Sequence, residues 1–563
     1  MRMHFNTSLA CAALVLAGCA AAPARSPSAA HPASSAAFST PEQALTYHVF
    51  MGELALQRGE SEIAAGQYAR AAQSSVDPTL AEQATILAYQ AGDDRLALEL
   101  SQRWRTLAPK DKTARHFEAI LNTRMDNVDA AVSEFESLLR DVPGENLAVI
   151  GQLLGEEADA GQALPVMRKL AAARPQSAEA HFALGRLALH YSKPTLAIDE
   201  SRRALAIKPG WDEAVVLEAR ALVAAGQNSE ALMMLKARAQ AEPGNTGLHL
   251  AYGALLAQAG QNTQSQTEFT AILGQHPRNP EALYYLGLLA LQANQLTQAH
   301  GYFMRLLGTG QRNNDAWFFL GNTAELSKQY PEALRRYQQV DGGEHWLSAQ
   351  IGIARVLIEQ GKPNAAREYI DNIAAADPDD AVQFRLAEAQ LFSNAGDNQT
   401  ALKIFDQALA ENPDNGDLLY GRALLQDTLG NAVAAESDLH IILSRQPDNA
   451  DALNALGYTL AVHSTRYQEA RIYIEKALQL KPDDPAIIDS MGWVEYRLGN
   501  YPQALDYLRK AYAQLADPEV AAHLTEALWA AGDKQEARGV WSSALRQHPE
   551  DPTLLKLGPR FSP

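Results

Sequence analysis

Adjacent carboxylates and scattered histidines are the residues of this sequence that could take part in chemistry. Asp379-Asp380 and Asp483-Asp484 could serve as general acid and base if one carboxyl of a pair kept its proton. Each pair follows a proline and precedes a helix-forming run, where the helix dipole favours acidic side chains. The fourteen histidines include no pair, and no His–Cys combination, at metal-ligand spacing.

Catalytic sequence motifs are also missing. The chain contains no HExxH, GxSxG, GxxxxGKS/T or GxGxxG segment in a suitable context. We therefore predict that the chain is not an enzyme, binds no small-molecule substrate and holds no metal or cofactor.

A group of side chains near the C-terminus could instead bind another protein. Trp, Tyr and Arg contribute most of the binding energy at protein interfaces. The predicted protein-binding residues are Asn454, Tyr458, Asp489, Trp493, Tyr496 and Arg497, with Glu526 and Trp529 beyond them. The alternative is that Trp493 and Tyr496 pack between neighbouring helices and are not exposed.

The elements that would position these residues recur at a stride of about 34 residues. The stride is marked by Pro109, Pro143, Pro175, Pro209, Pro243, Pro277, Pro378, Pro413, Pro447, Pro482 and Pro549. Turn segments such as GDDRLAL (92–98) and GDKQEAR (532–538) precede these prolines. A fixed period of this length predicts an all-α solenoid of about fifteen helix pairs between Leu45 and Asp551.

Residues 485–517 show how one repeat is built. Gly492 is expected where a second helix passes closely, Gly499 where the first helix ends, and Pro502 where the second begins. Together with Ala504, Leu508 and Ala511, this pattern resembles the tetratricopeptide repeat. The same frame predicts inward-facing core residues at Phe135, Phe269, Phe303, Phe405 and Trp541. In tetratricopeptide proteins the first helices form the partner-binding wall, and the six candidate residues fall on it.

The N-terminus has the features of a secretion signal. Arg2 precedes an apolar stretch from Leu9 to Leu16 that is too short to span a bilayer as a lone helix. The segment LAGC (16–19) resembles the lipobox of bacterial lipoproteins. The resemblance implies cleavage before Cys19, lipidation of Cys19 and, with Ala20 next, sorting to the outer membrane. The alternative is an ordinary secretion signal with a chance cysteine.

The remaining segments follow from composition. The only other cysteine, Cys11, falls in the part that would be removed, so no disulfide is expected. Residues 20–37 are rich in Ala, Pro and Ser and should form a disordered tether. The predicted organisation is a signal peptide at 1–18, a lipidated tether at 19–38, the solenoid at 39–551 and a tail at 552–563. The tail should be too short and proline-broken for a full capping helix, laying Leu554, Leu555 and Leu557 over the last pair.

The charge balance excludes two classes of partner. The formal net charge is −18, whereas nucleic-acid binding depends on clustered Lys and Arg. The same charge disfavours adsorption of the folded body to an anionic membrane surface. We therefore expect no nucleic-acid partner and attachment to the membrane through the lipid alone.

The C-terminal third carries a more particular resemblance. Segments 452–461, 487–512 and 517–537 are similar to the end of a family of proteobacterial outer-membrane tetratricopeptide lipoproteins. The resemblance implies a lipid-anchored, periplasm-facing adaptor for a periplasmic carboxyl-terminal processing serine protease. It also implies substrates such as peptidoglycan hydrolases. The alternative function is an assembly scaffold for a pilus, secretion or outer-membrane insertion complex.

Overall fold

Helix pairs account for nearly all of the regular structure. The computed structural model describes residues 40–377 and 380–561, and these form 31 α-helices and no strands. Helices α1 to α30 make up the predicted thirty helices, and α31 is additional. The all-α prediction is therefore confirmed. The predicted signal peptide, tether and Cys19 lie outside the described residues.

The chain divides between Pro277 and Arg278 into two compact units. The first unit contains α1 (Pro41–Gln57), α2 (Ser61–Ser74), α3 (Pro78–Gln90), α4 (Asp94–Leu107), α5 (Lys112–Arg124), α6 (Val128–Asp141), α7 (Leu147–Glu157), α8 (Ala160–Ala172), α9 (Ala178–His190), α10 (Pro194–Ile207), α11 (Asp212–Ala224), α12 (Asn228–Ala241), α13 (Thr246–Gln258) and α14 (Asn262–Gln275).

The second unit contains α15 (Pro280–Gln292), α16 (Leu296–Leu307), α17 (Asn313–Leu326), α18 (Tyr330–Tyr337), α19 (Trp346–Glu359), α20 (Pro363–Ala376), α21 (Ala381–Asn394), α22 (Asn398–Glu411), α23 (Gly416–Thr428), α24 (Ala432–Arg445), α25 (Ala450–His463), α26 (Tyr467–Leu480), α27 (Pro485–Arg497), α28 (Tyr501–Gln514), α29 (Pro518–Ala531), α30 (Lys534–Gln547) and α31 (Pro552–Phe561). Within residues 40–377 and 380–561, no helix combines the length and apolar composition that a bilayer span requires.

Local sequence signals set the helix ends. The Thr40 side chain accepts a hydrogen bond from the Gln43 backbone N–H at 3.3 Å and caps α1, which begins at Pro41. Gly499 adopts the predicted left-handed conformation, with φ of +84°, in the turn between α27 and α28. Pro502 lies in the first turn of α28, where a missing N–H leaves no helical hydrogen bond unmade.

Close approach of the two helices of a pair depends on missing side-chain volume. A Cβ atom at Gly492 of α27 would lie 2.6 Å from Leu508 Cγ of α28. The same distance separates a Cβ at Gly321 from Tyr337 Cδ1 in the pair α17–α18. Any larger residue would force the helices apart, because real interiors have no room for such an overlap.

The predicted core residues of the second helices are mostly inside. Phe135, Phe269, Phe303 and Phe405 are buried, as expected. Trp541 is only half-buried, and its indole Nε1 donates a hydrogen bond to the Leu554 carbonyl at 2.9 Å. Leu554 belongs to the C-terminal tail, so this contact shows that the tail covers the last helix pair, α29 and α30.

The tail is a helix, contrary to the expectation from its length and its prolines. Helix α31 contacts both α29 and α30 and buries Leu554 and Phe561. The Phe561 ring meets Trp529 edge-on, with ring centroids 4.8 Å apart. Leu557 is partly buried, but Leu555 is 50% exposed and lies off the packed face. Pro559 is accommodated in the last turn of α31, so it does not prevent the preceding turns from forming.

Replacing Leu554 with Ala should loosen the end of the second unit. The substitution leaves a cavity under α31 and should cost about 2–5 kcal/mol locally. Amide hydrogen exchange should therefore accelerate in α29 and α30. Leu555→Ala, on the exposed side of the same helix, should change stability by no more than about 0.5 kcal/mol. Equal acceleration in the two variants would contradict a capping role for α31.

Candidate protein-binding surface

The last three helix pairs place their first helices side by side. Helix α27 contacts both α25 and α29, so side chains on these three helices meet across repeats. The six predicted binding residues all lie on α25 and α27. Neighbouring repeats thus bring together residues that are far apart in the sequence.

A histidine on α29 lies at the centre of this surface. His523 Nδ1 is 2.8 Å from Asp489 Oδ2 on α27. The Tyr458 hydroxyl on α25 donates a hydrogen bond to the Glu519 carboxylate on α29 and lies 3.4 Å from His523 Nε2. These contacts, with Trp493, define what we call the His523 cluster: Tyr458, Asp489, Trp493, Glu519 and His523.

Trp493 packs inside the structure and is not an exposed anchor. Its side chain is only 9% exposed, and its ring stacks on His523 with centroids 4.1 Å apart. Tyr496 is half-buried, and its ring centroid lies 5.0 Å from that of Trp493. The expectation that Trp493 would be exposed is therefore wrong, because α29 contributes a flat imidazole that covers the indole. The alternative, packing between neighbouring first helices, is what the structure shows for Trp493.

The other predicted residues are half-buried or inside. Asp489 is buried, whereas Asn454, Tyr458 and Arg497 are half-buried. Arg497 Nη2 donates to the Tyr467 hydroxyl at 2.6 Å, and its guanidinium lies over the Tyr467 ring at 4.8 Å.

The two residues named beyond those six contact α31. Glu526 pairs with Arg560 at 3.4 Å, and Trp529 contacts Phe561. The tail helix therefore closes this end of the surface.

Burial and neighbouring carboxylates together raise the pKa values of both Tyr458 and His523, although burial and charge oppose each other at His523. Burial, with help from the Glu519 and Asp489 carboxylates, raises the pKa of Tyr458 far above its usual range. Burial alone would lower the pKa of His523, but the Asp489 carboxylate, followed by Glu519 and Glu526, raises that pKa above its ordinary value. The folded protein therefore holds the His523 proton more tightly than a free imidazole would.

The Asp489–His523–Tyr458 order looks like an acid–base relay but is unsuited to nucleophilic catalysis. A nucleophile needs a depressed pKa or an adjacent base that can take its proton. The raised pKa of Tyr458 disfavours its ionised form, and its hydroxyl donates to Glu519, whereas a relay would need it to donate to His523. Among the described residues, no group of three or more His, Cys, Asp or Glu side chains could hold a metal ion.

The adjacent carboxylates have structural partners. Asp484 accepts hydrogen bonds from the backbone N–H groups of Ala486 and Ile487 at 2.9 and 3.3 Å, and so caps α27. Asp483 lies 3.5 Å from Lys510 Nζ. Asp380 is the N-cap residue of α21, and Asp379 is outside the described residues. The interpretation as helix-start charges is thus supported for Asp484.

Two arginines on first helices differ in their surroundings. Arg355 forms a two-pronged ion pair with Glu325, whose carboxylate also accepts from the Tyr337 hydroxyl. Arg186 is exposed and lines a groove of about 180 Å³ between α7 and α9, beside Gly151, Gly155 and His190. The groove is shallow and contains no buried polar group.

Sequence reasoning missed His523 and Glu519. His523 lies on α29, the first helix of its repeat, from which sequence reasoning selected only Glu526 and Trp529. A signal was nevertheless present, because Asp489 and His523 are separated by 34 residues, about one repeat. Opposite charges one period apart are brought side by side when neighbouring repeats stack.

The helix pairs and the polar surface on their first helices define a repeat protein of the protein-binding class. Sequence models of the tetratricopeptide repeat match residues 149–210, 250–307, 286–342, 394–460, 450–484 and 490–552. A TPR repeat-containing protein from Pseudomonas aeruginosa is 40% identical over 540 residues, covering 93% of this chain and 90% of the relative. The chain belongs to the tetratricopeptide-repeat family and is a scaffold for protein–protein interaction.

Solved structures are similar at lower identity. Yeast Tom70 is 15% identical, with 92% of this chain and 99% of that chain covered and a TM-score of 0.38. PilW, a type IV pilus biogenesis factor, is 17% identical, with 38% and 99% covered and a TM-score of 0.31. The family assignment therefore rests on the sequence matches.

The His523 cluster should make stability depend on pH. Because the pKa of His523 is raised on folding, its contribution is fully present below the ordinary pKa and is lost as pH rises through the raised value. The thermal midpoint of the second unit should therefore fall as pH rises above the ordinary imidazole pKa. The groups that set this dependence are Asp489, Tyr458, Glu519 and Glu526.

The matched variants are His523→Gln and His548→Gln, measured by thermal unfolding across the same pH range. The first should flatten the pH profile, whereas the second changes an exposed histidine at the end of α30 and should leave the slope intact. An unchanged slope in His523→Gln would mean that other groups control the transition.

Proposed function

We propose that this protein is a non-catalytic adaptor, anchored to the outer membrane by lipid at Cys19 and facing the periplasm. It binds a periplasmic carboxyl-terminal processing serine protease and promotes degradation of substrates such as peptidoglycan hydrolases. The observation that carries the proposal is the resemblance of segments 452–461, 487–512 and 517–537 to outer-membrane lipoproteins of this kind. Those segments include Tyr458, Asp489, Trp493, Glu519 and His523, which meet on adjacent first helices.

The mechanism requires only binding and proximity. An adaptor that holds protease and substrate together turns their encounter into a nearly intramolecular one, with effective concentrations up to the millimolar range. The nucleophile and its base belong to the protease. The adaptor contributes polar and aromatic groups on its first helices, held in place by the packing of each helix pair.

Lipid attachment is tested through the two cysteines. Cys19→Ala should abolish incorporation of radiolabelled palmitate and release the protein from the membrane fraction, because several acyl chains are needed for stable anchoring. Cys11→Ala is the matched control and should retain both label and membrane association. Palmitate labelling that survives in Cys19→Ala would overturn the anchor assignment.

Partner binding is tested by affinity capture from envelope extract in a mild nonionic detergent. The full chain, tagged after Pro563, should retain a carboxyl-terminal processing protease. Tyr496→Ala should reduce retention by about tenfold if the α25–α27–α29 surface is the contact, as for a half-buried aromatic at an interface. Tyr473→Ala removes a half-buried tyrosine from the second helix α26 and should have no such effect.

A reconstituted reaction separates the functional alternatives. Adding the full chain to purified protease and a peptidoglycan hydrolase should speed loss of the hydrolase by about tenfold or more. An unchanged rate, with secretin or insertion-machinery components in the capture instead, would favour the assembly-scaffold alternative.

A further inference from the structure

Three buried polar atoms on the C-terminal surface have no hydrogen-bond partner. They are Asn454 Oδ1 on α25, and Asp489 Oδ1 and Trp493 Nε1 on α27. Asp489 and Trp493 are only 5% and 9% exposed, so their unmet hydrogen bonds lie in a region of low dielectric. An unpaired polar group in such a place destabilises the fold, and a ligand group of the right kind would offset that cost.

The chemistry of these atoms favours a donor. Two of the three are acceptor oxygens, and one of those belongs to a carboxylate whose other oxygen is already bonded to His523. The surrounding charges act in the same direction. Four carboxylates, those of Asp427, Asp489, Glu519 and Glu526, act on Tyr458 or His523. The cations of this surface are His523, Arg497 and Arg560. An anionic ligand would be repelled by this excess of negative charge, whereas a cation would be attracted.

The aromatic side chains suit a flat cation. Tyr458 and Tyr496 are half-buried on this surface. The protein's own Arg497 guanidinium lies 5.9 Å from the centroid of the Trp493 ring, which His523 also stacks against. A guanidinium offers five N–H donors in one plane and stacks on aromatic faces, which an ammonium does less well. Arginine therefore matches both the unpaired oxygens and the aromatic rings.

Tyr458 occupies part of the space that such a ligand would need. Its hydroxyl reaches across α27 and donates to Glu519, two repeats further along the chain. Breaking this bond would free the Glu519 carboxylate to accept a hydrogen bond from another donor. Tyr458 is thus hydrogen-bonded to the same Glu519 carboxylate that an incoming basic group would bind.

We infer that the His523 cluster, with Asn454, is a binding pocket for an arginine side chain of a partner protein's extended segment. The segment's guanidinium displaces the Tyr458 hydroxyl from Glu519 and donates to Glu519, Asp489 and Asn454. This inference rests on the proposed function for the existence of a protein partner and adds the chemistry by which that partner is recognised.

The test measures binding of fluorescein-labelled peptides to the full chain by fluorescence anisotropy. The probes are peptides of alternating alanine and arginine, alanine and glutamine, or alanine and glutamate. The arginine peptide should bind at least about tenfold more tightly than the glutamine peptide, and the glutamate peptide should not bind. Equal binding of the glutamine peptide, preference for the glutamate peptide, or no binding at all would overturn the inference.

The variants separate the pocket from the bulk charge of the chain. Asp489→Asn and Glu519→Gln should each weaken the arginine peptide by about tenfold. Asp483→Asn removes the same charge from a side chain that is 89% exposed beside α27, and should change affinity by less than about twofold. Equal losses of affinity in Asp483→Asn and Asp489→Asn would show that the peptide is bound by general electrostatic attraction, and would overturn the pocket.

Tyr458→Phe provides a result that a misfolded variant could not mimic. Removing the hydroxyl leaves Glu519 without its internal donor, so the arginine peptide should bind about threefold more tightly. Weaker binding would contradict the displacement step. The peptide assay contains no protease, so its outcome is independent of protease capture. Failure of peptide binding with successful capture would contradict only the arginine pocket. Peptide binding without capture of a protease would contradict only the proposed function.

Discussion

The structure depends on how closely two helices of one pair can approach. In the pairs that match the repeat best, a glycine of the first helix faces a large side chain of the second, as Gly492 faces Leu508 and Gly321 faces Tyr337. The large side chain fills the space that the glycine leaves, so the two helices of the pair pack closely along this contact. Because each pair obtains its stability from this contact and from its neighbours, the chain can be extended without a large central core.

That arrangement leaves the other side of the first helices, which meets the neighbouring repeats, free to carry polar groups. Tyr458, Asp489 and His523 are held by hydrogen bonds across repeats, while the close contact within each pair supports the fold. Burying such groups is expensive unless they are paired. The incomplete pairing of Asp489 and Trp493 therefore indicates a site where recognition, not stability alone, sets the residue types.

Much of the fold could be predicted because its signals are local and repeated. Thirty helices were predicted from the prolines, the glycine of the 499 turn and the apolar spacing. Each of these residues determines the backbone only within a few residues of its own position. The tail was mispredicted because Leu554 and Phe561 form a helix only when α29 and α30 are there to cover them. A ten-residue helix is marginal on its own, so its stability comes from contacts that a local pattern does not contain.

The candidate surface was predicted only in part, for a related reason. Asn454, Tyr458, Asp489 and Tyr496 were placed on the correct helices, but the exposure of Trp493 depended on which side chain the next repeat would supply. His523 supplies a flat ring there and turns an apparent anchor into a buried support. Repeat positions specify the direction of a side chain, whereas its exposure depends on which residue the neighbouring repeat supplies. The recognition chemistry of such a wall is therefore better read from pairs of residues one period apart, such as Asp489 and His523, than from the residues of any single repeat.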